Sequence, residues 1–357
     1  MSRELPLKDV WQSRNATMIE ESGWRLPFDF KTFEEEYDTV RNAMGLIDFS
    51  WRGKILIKGG DRISFLHNLL TNDIKALAPG QGCQAALLSA TGKVMADMNV
   101  YVYSDKVLLD VEPGLEKKLI ELFNKYIIND DVTLEDATAK ITHLALAGPE
   151  SGTFVQSAFT EPLFDLKERD HFELRLGIVH ITLIHQNRCG EMGYDFLIPS
   201  EFIAESFERI KHGATFYGMK PAGYGIYEAL RIEAGIPRYG KDIDETLSLP
   251  ETGLVEIAAS ESKGCYPGQE VVARTKTYGG LNRKLMRLTF DKEKIPAVGD
   301  KIYGEVRGEE KEIGRLTSAA KTPKSGVGIA LLSKGFFEAE KKIRVHSAEG
   351  KIEAETG

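Results

Sequence analysis

The sequence predicts an α+β protein whose texture changes near residue 280. Two observations carry this expectation. Up to that point, stretches of helical periodicity alternate with strand-like stretches, without an internal repeat. After about residue 281, short strand candidates recur with turn signals at intervals of about ten residues, the pattern of a small barrel or sandwich. At roughly 100–200 residues per domain, 357 residues suggest two or three domains.

Residues 1–31 are mixed and read as irregular. A helix is expected from Phe33 to Met44, because Thr32 and Glu35 have capping-box spacing and Gly45 is a natural stop. Lys54 to Lys58 reads as a strand broken by Gly59 and Gly60. Asp61 then caps a helix carrying Ile63, Phe65, Leu66, Leu69 and Leu70. Gln84 to Val111 reads as strands joined by turns at Ala90–Gly92 and Ser104–Asp105, with an amphipathic helix to Tyr126. Ile178–Ile184 and Tyr194–Ile198 are strand candidates, and 201–212 and 221–234 are helix candidates. The late strands are expected at Leu285–Phe290, Lys301–Val306, Glu312–Ser318, Val327–Leu332 and Lys342–His346.

Bulk composition narrows the function classes. Hydrophobic residues make up 42% and charged residues 28%, an ordinary globular balance. A net charge of −8 argues against generic attraction to nucleic acid. The three cysteines, Cys83, Cys189 and Cys265, are far apart and suggest neither a disulfide framework nor a self-contained zinc site. The first residues lack a signal-peptide pattern, and no apolar run approaches the roughly 18 residues of a membrane span. The expected location is the cytoplasm.

The most informative segment is Lys263-Gly-Cys-Tyr-Pro-Gly-Gln-Glu270, with Arg274 beyond it. Two glycines around a Cys-Tyr-Pro triplet indicate a tight loop. Lys263 beside Cys265 would favour the reactive thiolate. On the residues alone, an inert buried cysteine in a structural turn is the competing reading.

This segment resembles the signature of the YgfZ branch of the aminomethyltransferase-like superfamily, that of the glycine-cleavage T-protein. Four further blocks resemble the superfamily in the same order: Gly45-Leu-Ile-Asp-Phe-Ser50, Phe65-Leu66 with Leu70-Thr-Asn-Asp-Ile74, Ala229 to Asp244, and Gly314-Arg-Leu-Thr-Ser318. The resemblance implies an aminomethyltransferase folate-binding fold. Residues 1–280 would form two α+β lobes around a central tetrahydrofolate cavity, and residues 281–357 a small C-terminal β-barrel.

It also implies site residues. A pterin edge suits a carboxylate, its faces suit aromatic walls, and its anionic tail suits a cation. Gly190-Glu-Met-Gly-Tyr-Asp195 resembles the family's Gly-Glu loop, with Asp195 favoured for the pterin and Glu191 beside it; on residues alone this is a solvated hairpin turn. Arg231 resembles the arginine of the ligand-facing helix; the competing reading is an ordinary surface or interlobe ion pair. Tyr101, Tyr103 and Trp51 are candidate stacking partners, though such aromatics are more often core.

Asp97 resembles one member of the T-protein's acidic pair, which orients folate and handles charge during one-carbon transfer. Its partner position is Ala96, and the competing reading is an outward strand residue. Cys265 stands where T-proteins carry an acid. Together these departures favour a tetrahydrofolate-binding accessory protein that supports iron–sulfur cluster assembly or repair in client enzymes, some of them tRNA-modifying, with Cys265 as the reactive thiol. The alternative is a folate-dependent aminomethyltransferase or N-demethylase with Asp97 as the orienting acid. Neither reading calls for a resident metal, a membrane or direct nucleic-acid contact.

Overall fold

The computed structural model describes residues 2–159, 166–348 and 350–357. Two largely antiparallel sheets and a barrel dominate. A five-stranded sheet runs in the order Gln81–Leu88, Val94–Val102, Lys106–Val111, Gly53–Lys58, Thr133–Asp136. A six-stranded sheet runs in the order His171–Leu176, Val179–His185, Gly193–Pro199, Ile141–Ala147, Met44–Asp48, Met219–Pro221, with its last pair parallel. The barrel is closed by six strands, from Arg283–Phe290 to Gly350–Thr356.

Alternation along each strand decides which face is core. In Val94–Val102, the residues Ala96, Met98, Val100 and Val102 point to a buried cluster. It is covered by Leu66 of the helix Arg62–Leu69 and by Leu119 and Phe123 of the helix Glu116–Asn124. Asp97, Asn99 and Tyr101 therefore face the other way. In Gly193–Pro199 the same logic sends Phe196 and Ile198 into a second core and turns Asp195 and Leu197 towards the first sheet. A small seam of Tyr101, Tyr103, Leu108, Ile184 and Leu197 joins the two faces. Leu56 and Ile141 pack against this seam, and a network of charged side chains lies beside it.

Several local expectations differ from the structure. The capping box at Thr32 and Glu35 forms as expected, but the helix spans Phe33–Asn42. Gly45 lies inside the strand Met44–Asp48, not at a helix end. Asp61 makes no side-chain cap; its carboxylate accepts the Asp131 amide instead. Residues 1–31 are not irregular: Thr17–Glu21 and Trp24–Asp29 pair as a hairpin. The barrel gains a sixth strand, Gly350–Thr356, whose hydrophobic alternation is too weak to stand out in sequence.

The Cys265 loop is anchored where it enters the helix Gln269–Tyr278. Gly268 has φ +76°, and a Cβ there would lie 2.5 Å from the Ser89 carbonyl and 2.8 Å from Gly92 Cα. Only glycine lets this loop rest on the hairpin turn that leads into the Asp97 strand. Among the described residues, no helix is long and apolar enough to cross a membrane.

Candidate interlobe site

Where the two sheets face each other, charged side chains replace apolar ones. Arg188 is at the centre. Its Nε donates to Asp195 Oδ2 at 2.7 Å and its Nη2 to Asp110 Oδ2 at 2.8 Å. His143 Nε2 stands 3.0 Å from the same Asp195 oxygen. Asp110 also accepts from Arg52 Nε at 2.7 Å, and Arg52 pairs with Glu112. Arg238 donates to Glu112 at 2.6 Å and lies over the Trp51 ring, 4.9 Å from its centroid. Lys54 is fully buried and donates to the carbonyls of Phe49, Ser50 and Arg52, which holds the turn that aims Arg52.

A second branch reaches Asp97. Gln84 Nε2 donates to Asp97 Oδ2 at 3.3 Å, and Gln84 Oε1 accepts from Arg169 Nη2 at 3.1 Å. Arg169 Nε donates to Asn99 Oδ1 at 2.8 Å, and Asn99 Nδ2 donates to Asp110 Oδ2 at 3.2 Å. The register of the two strands places Asn99 directly opposite Asp110. An unbroken chain of hydrogen bonds thus runs from Asp97 in the first lobe to Asp195 and His143 in the second.

The carboxylates along this chain are pushed apart in acidity. Burial would raise Asp195, but Arg188 and His143 outweigh it and hold it below its ordinary range. Burial likewise opposes Arg238 and Arg52 at Glu112, and the two guanidiniums win. Asp97 goes the other way: burial, reinforced by the nearby Glu112 charge, lifts it to about 6. Among the described residues it forms no ion pair, and its Oδ1 is buried without a hydrogen-bond partner. Asp195 Oδ1 is buried and unpartnered too.

The structure sorts the sequence-derived candidates. Asp97 and Asp195 belong to one network. Tyr101 lies against it, but its ring is fully enclosed and its hydroxyl donates to Gln186 at 3.0 Å, so it forms wall rather than an open stacking surface. Trp51 and Tyr103 are buried as well. Glu191 is held apart, paired with Arg41 beside Glu233 and Tyr37.

Arg231 has no donor to spare. Its five N–H groups go to Glu228 (twice), Asp242, the Ile236 carbonyl and Ser318. Asp242 in turn accepts from Thr317 and Ser318, so Arg231 fastens its helix to the barrel.

Cys265 is exposed on its loop. Lys263 does not serve it: the ammonium turns inward to the carbonyls of His67, Leu70 and Asn72. Proximity in sequence misled here because three backbone carbonyls near residues 67–72 capture the Lys263 ammonium while Cys265 stays exposed.

Sequence reasoning missed Arg188, Asp110, His143, Arg52, Glu112, Arg238, Gln84 and Arg169. Asp110 carried one readable signal, a charge at an inward-facing position of an otherwise apolar strand, Val107 to Val111. Arg188 shares a short segment with the Glu191 loop. Arg238 lies inside the block Ala229 to Asp244, which resembles the superfamily, but nothing there set it apart from Arg231.

Two α+β lobes sharing a polar interface, with a closed six-stranded barrel attached, define the aminomethyltransferase class of fold. The solved glycine cleavage system aminomethyltransferase T from Bartonella henselae superposes with a TM-score of 0.88, covering 100% of this chain and 97% of that one. At 19% identity that match speaks for the fold alone. Sequence comparison goes further. The GCVT N-terminal domain matches residues 7–261. An aminomethyltransferase of Caldanaerobacter subterraneus subsp. tengcongensis is 32% identical over 96% of this chain and 91% of its own length. One from Thermoanaerobacter pseudethanolicus is 30% identical over 96% and 93%. The chain belongs to the GCVT family.

Proposed function

We propose that the chain is a folate-dependent transferase that moves a one-carbon unit from an aminomethyl-type donor to tetrahydrofolate in the interlobe site, with Asp97 as the orienting and proton-accepting carboxylate. One observation carries this reading: among the described carboxylates of the interlobe hydrogen-bond chain, Asp97 has no arginine partner and a buried, unpartnered Oδ1. Its neighbours are fixed as anions while it is poised to exchange a proton, the division of labour that acid–base chemistry needs. The relatives described above carry the name aminomethyltransferase, which supports the same reading.

The residues fit the ligand. Two buried carboxylate oxygens that lack donors, on Asp97 and Asp195, suit a molecule that brings N–H groups, as a pterin edge does. Tetrahydrofolate, when bound, would supply the amine nitrogens that take up the one-carbon unit, giving up N–H protons as the donor's amine leaves as ammonia and the donor's carrier atom is reprotonated. Asp97 accepts a proton at Oδ1 and keeps its other oxygen on Gln84. Arg188 holds Asp195 ionised, and Tyr101 and Trp51 keep water from the network. Arg231 keeps the helix and barrel in register around the site.

Turnover tests this directly. Asp97 is active as the carboxylate, so kcat rises with pH through about 6 and levels above it. With Asp97 titrating near 6, the rise between pH 5 and 8 is roughly tenfold; a change of about twofold or less would remove Asp97 from the proton-transfer role.

A second reading rests on the exposed thiol of Cys265, held on a loop braced through Gly268. In it the protein supports iron–sulfur cluster assembly or repair in client enzymes, as the resemblance to the YgfZ branch implies. Cys265→Ser then lowers cluster-dependent client activity while leaving transfer to tetrahydrofolate intact. Unchanged client activity in that variant would remove the thiol from the account.

A further inference from the structure

We propose that Arg169 is a positioning residue for Asp97: it fixes the side-chain amide of Gln84 so that an N–H group meets the Asp97 carboxylate, leaving Oδ1 as the free oxygen. This rests on the reading of Asp97 as the reacting carboxylate.

The backbone at Arg169 is unusual. It has φ +72°, a left-handed conformation that residues with a β-carbon seldom adopt. Its N–H donates to the His185 carbonyl at 2.7 Å. Its own carbonyl presses on the first lobe so closely that a Cβ at Gly82 would lie 2.8 Å from it. The segment is therefore built to bring this one side chain across the interface.

What the side chain does there follows from its chemistry. A guanidinium has donors and no acceptor. Gln84 and Asn99 must both turn their carbonyl oxygens to it, at 3.1 and 2.8 Å. Their NH2 groups are then forced outward, one to Asp97 and the other to Asp110. One residue thus sets the orientation of two amides and, through them, two carboxylates. Without it, either amide is free to rotate half a turn and present a carbonyl to an anion. The groups facing Asp97 are Gln84 on the adjacent strand, Glu112 at the end of the next strand, Arg52 from the preceding turn, and Tyr239 from the loop after the helix Tyr224–Glu233. Gln84 is the one that Arg169 controls.

The test is an NMR titration of the ¹³C-labelled Asp97 carboxyl in the full chain, without ligand. Arg169→Gly removes the guanidinium, and glycine takes the left-handed backbone without cost. The expected result is an upward shift of the Asp97 midpoint by about one pH unit, because a hydrogen bond to the charged form is lost. Gln84→Ala produces the same shift, and the double variant goes no further. Arg169→Lys, which has one ammonium for two amides, falls between.

An unmoved midpoint in Arg169→Gly, or shifts that add in the double variant, would overturn the proposal. Gln84→Ala and Arg169→Lys decide the question should Arg169→Gly fail to fold. Absence of tetrahydrofolate turnover in the wild type would count against the transferase reading, while the titration would still decide the role of Arg169.

Discussion

Asp97→Asn lowers turnover by about 10²–10⁴-fold, the usual contribution of a positioned acid–base group, while the folded chain becomes more stable at neutral pH. Both effects have one cause. Burial and the Glu112 charge raise Asp97 from 3.8 to about 6. A raised carboxylic acid stabilises the fold fully below its unfolded value, and that contribution is lost as pH rises through the folded value. At pH 8 the ionised group is a liability on the order of 2–3 kcal/mol. The amide cannot ionise, so the variant resists urea better than wild type at pH 8, and the advantage shrinks towards pH 4. Near-normal turnover, or a variant less stable than wild type at pH 8, would contradict this assignment.

Arg188→Met has the largest expected effect on stability. The guanidinium lies between Asp110 and Asp195, both nearly excluded from solvent. Removing it leaves the buried Asp195 carboxylate without its arginine and Asp110 with Arg52 as its remaining arginine, at a cost of about 3–5 kcal/mol. The sign with pH is opposite to that of Asp97. Burial works against Asp195, yet Arg188 and His143 hold its acidity below the ordinary range. Such a group stabilises the fold above its unfolded value, and the contribution is lost as pH falls through the folded value. The difference between wild type and Arg188→Met in urea unfolding is therefore largest near neutral pH and narrows in acid. Adding Asp195→Leu to Arg188→Met recovers part of the loss, because the uncompensated charge goes with it. A difference that stays constant with pH would show that packing, not charge, holds the lobes at this point.

These two residues mark what the sequence discloses and what it hides. Asp97 was readable because it stands in a strand whose alternate residues are apolar and in a block resembling a known family. Arg188 was not. Its importance comes from Asp110, Asp195 and His143 meeting it from three separate strands, and no local period records such a meeting. Arg231 was legible as a special residue but not in its role; whether its donors face a ligand or Asp242 depends on how the barrel docks. Cys265 shows the reverse case: a conspicuous motif suggested a Lys–Cys pair, and the loop turns Lys263 inward. The barrel strands were largely legible because each is short, alternating and bounded by turns. The hairpin Thr17–Asp29 was not, since its strands bury only part of one face.

The most direct measurement of the central claim follows a ¹³C-labelled one-carbon unit from an aminomethyl donor to tetrahydrofolate with purified wild-type protein and Asp97→Asn side by side. Label transferred by the wild type, with a rate that rises through about pH 6 and is lost in the variant, is the predicted result. No transfer by the wild type, although calorimetry shows that tetrahydrofolate binds, would contradict the transferase reading and leave a folate-binding protein whose work is done through Cys265.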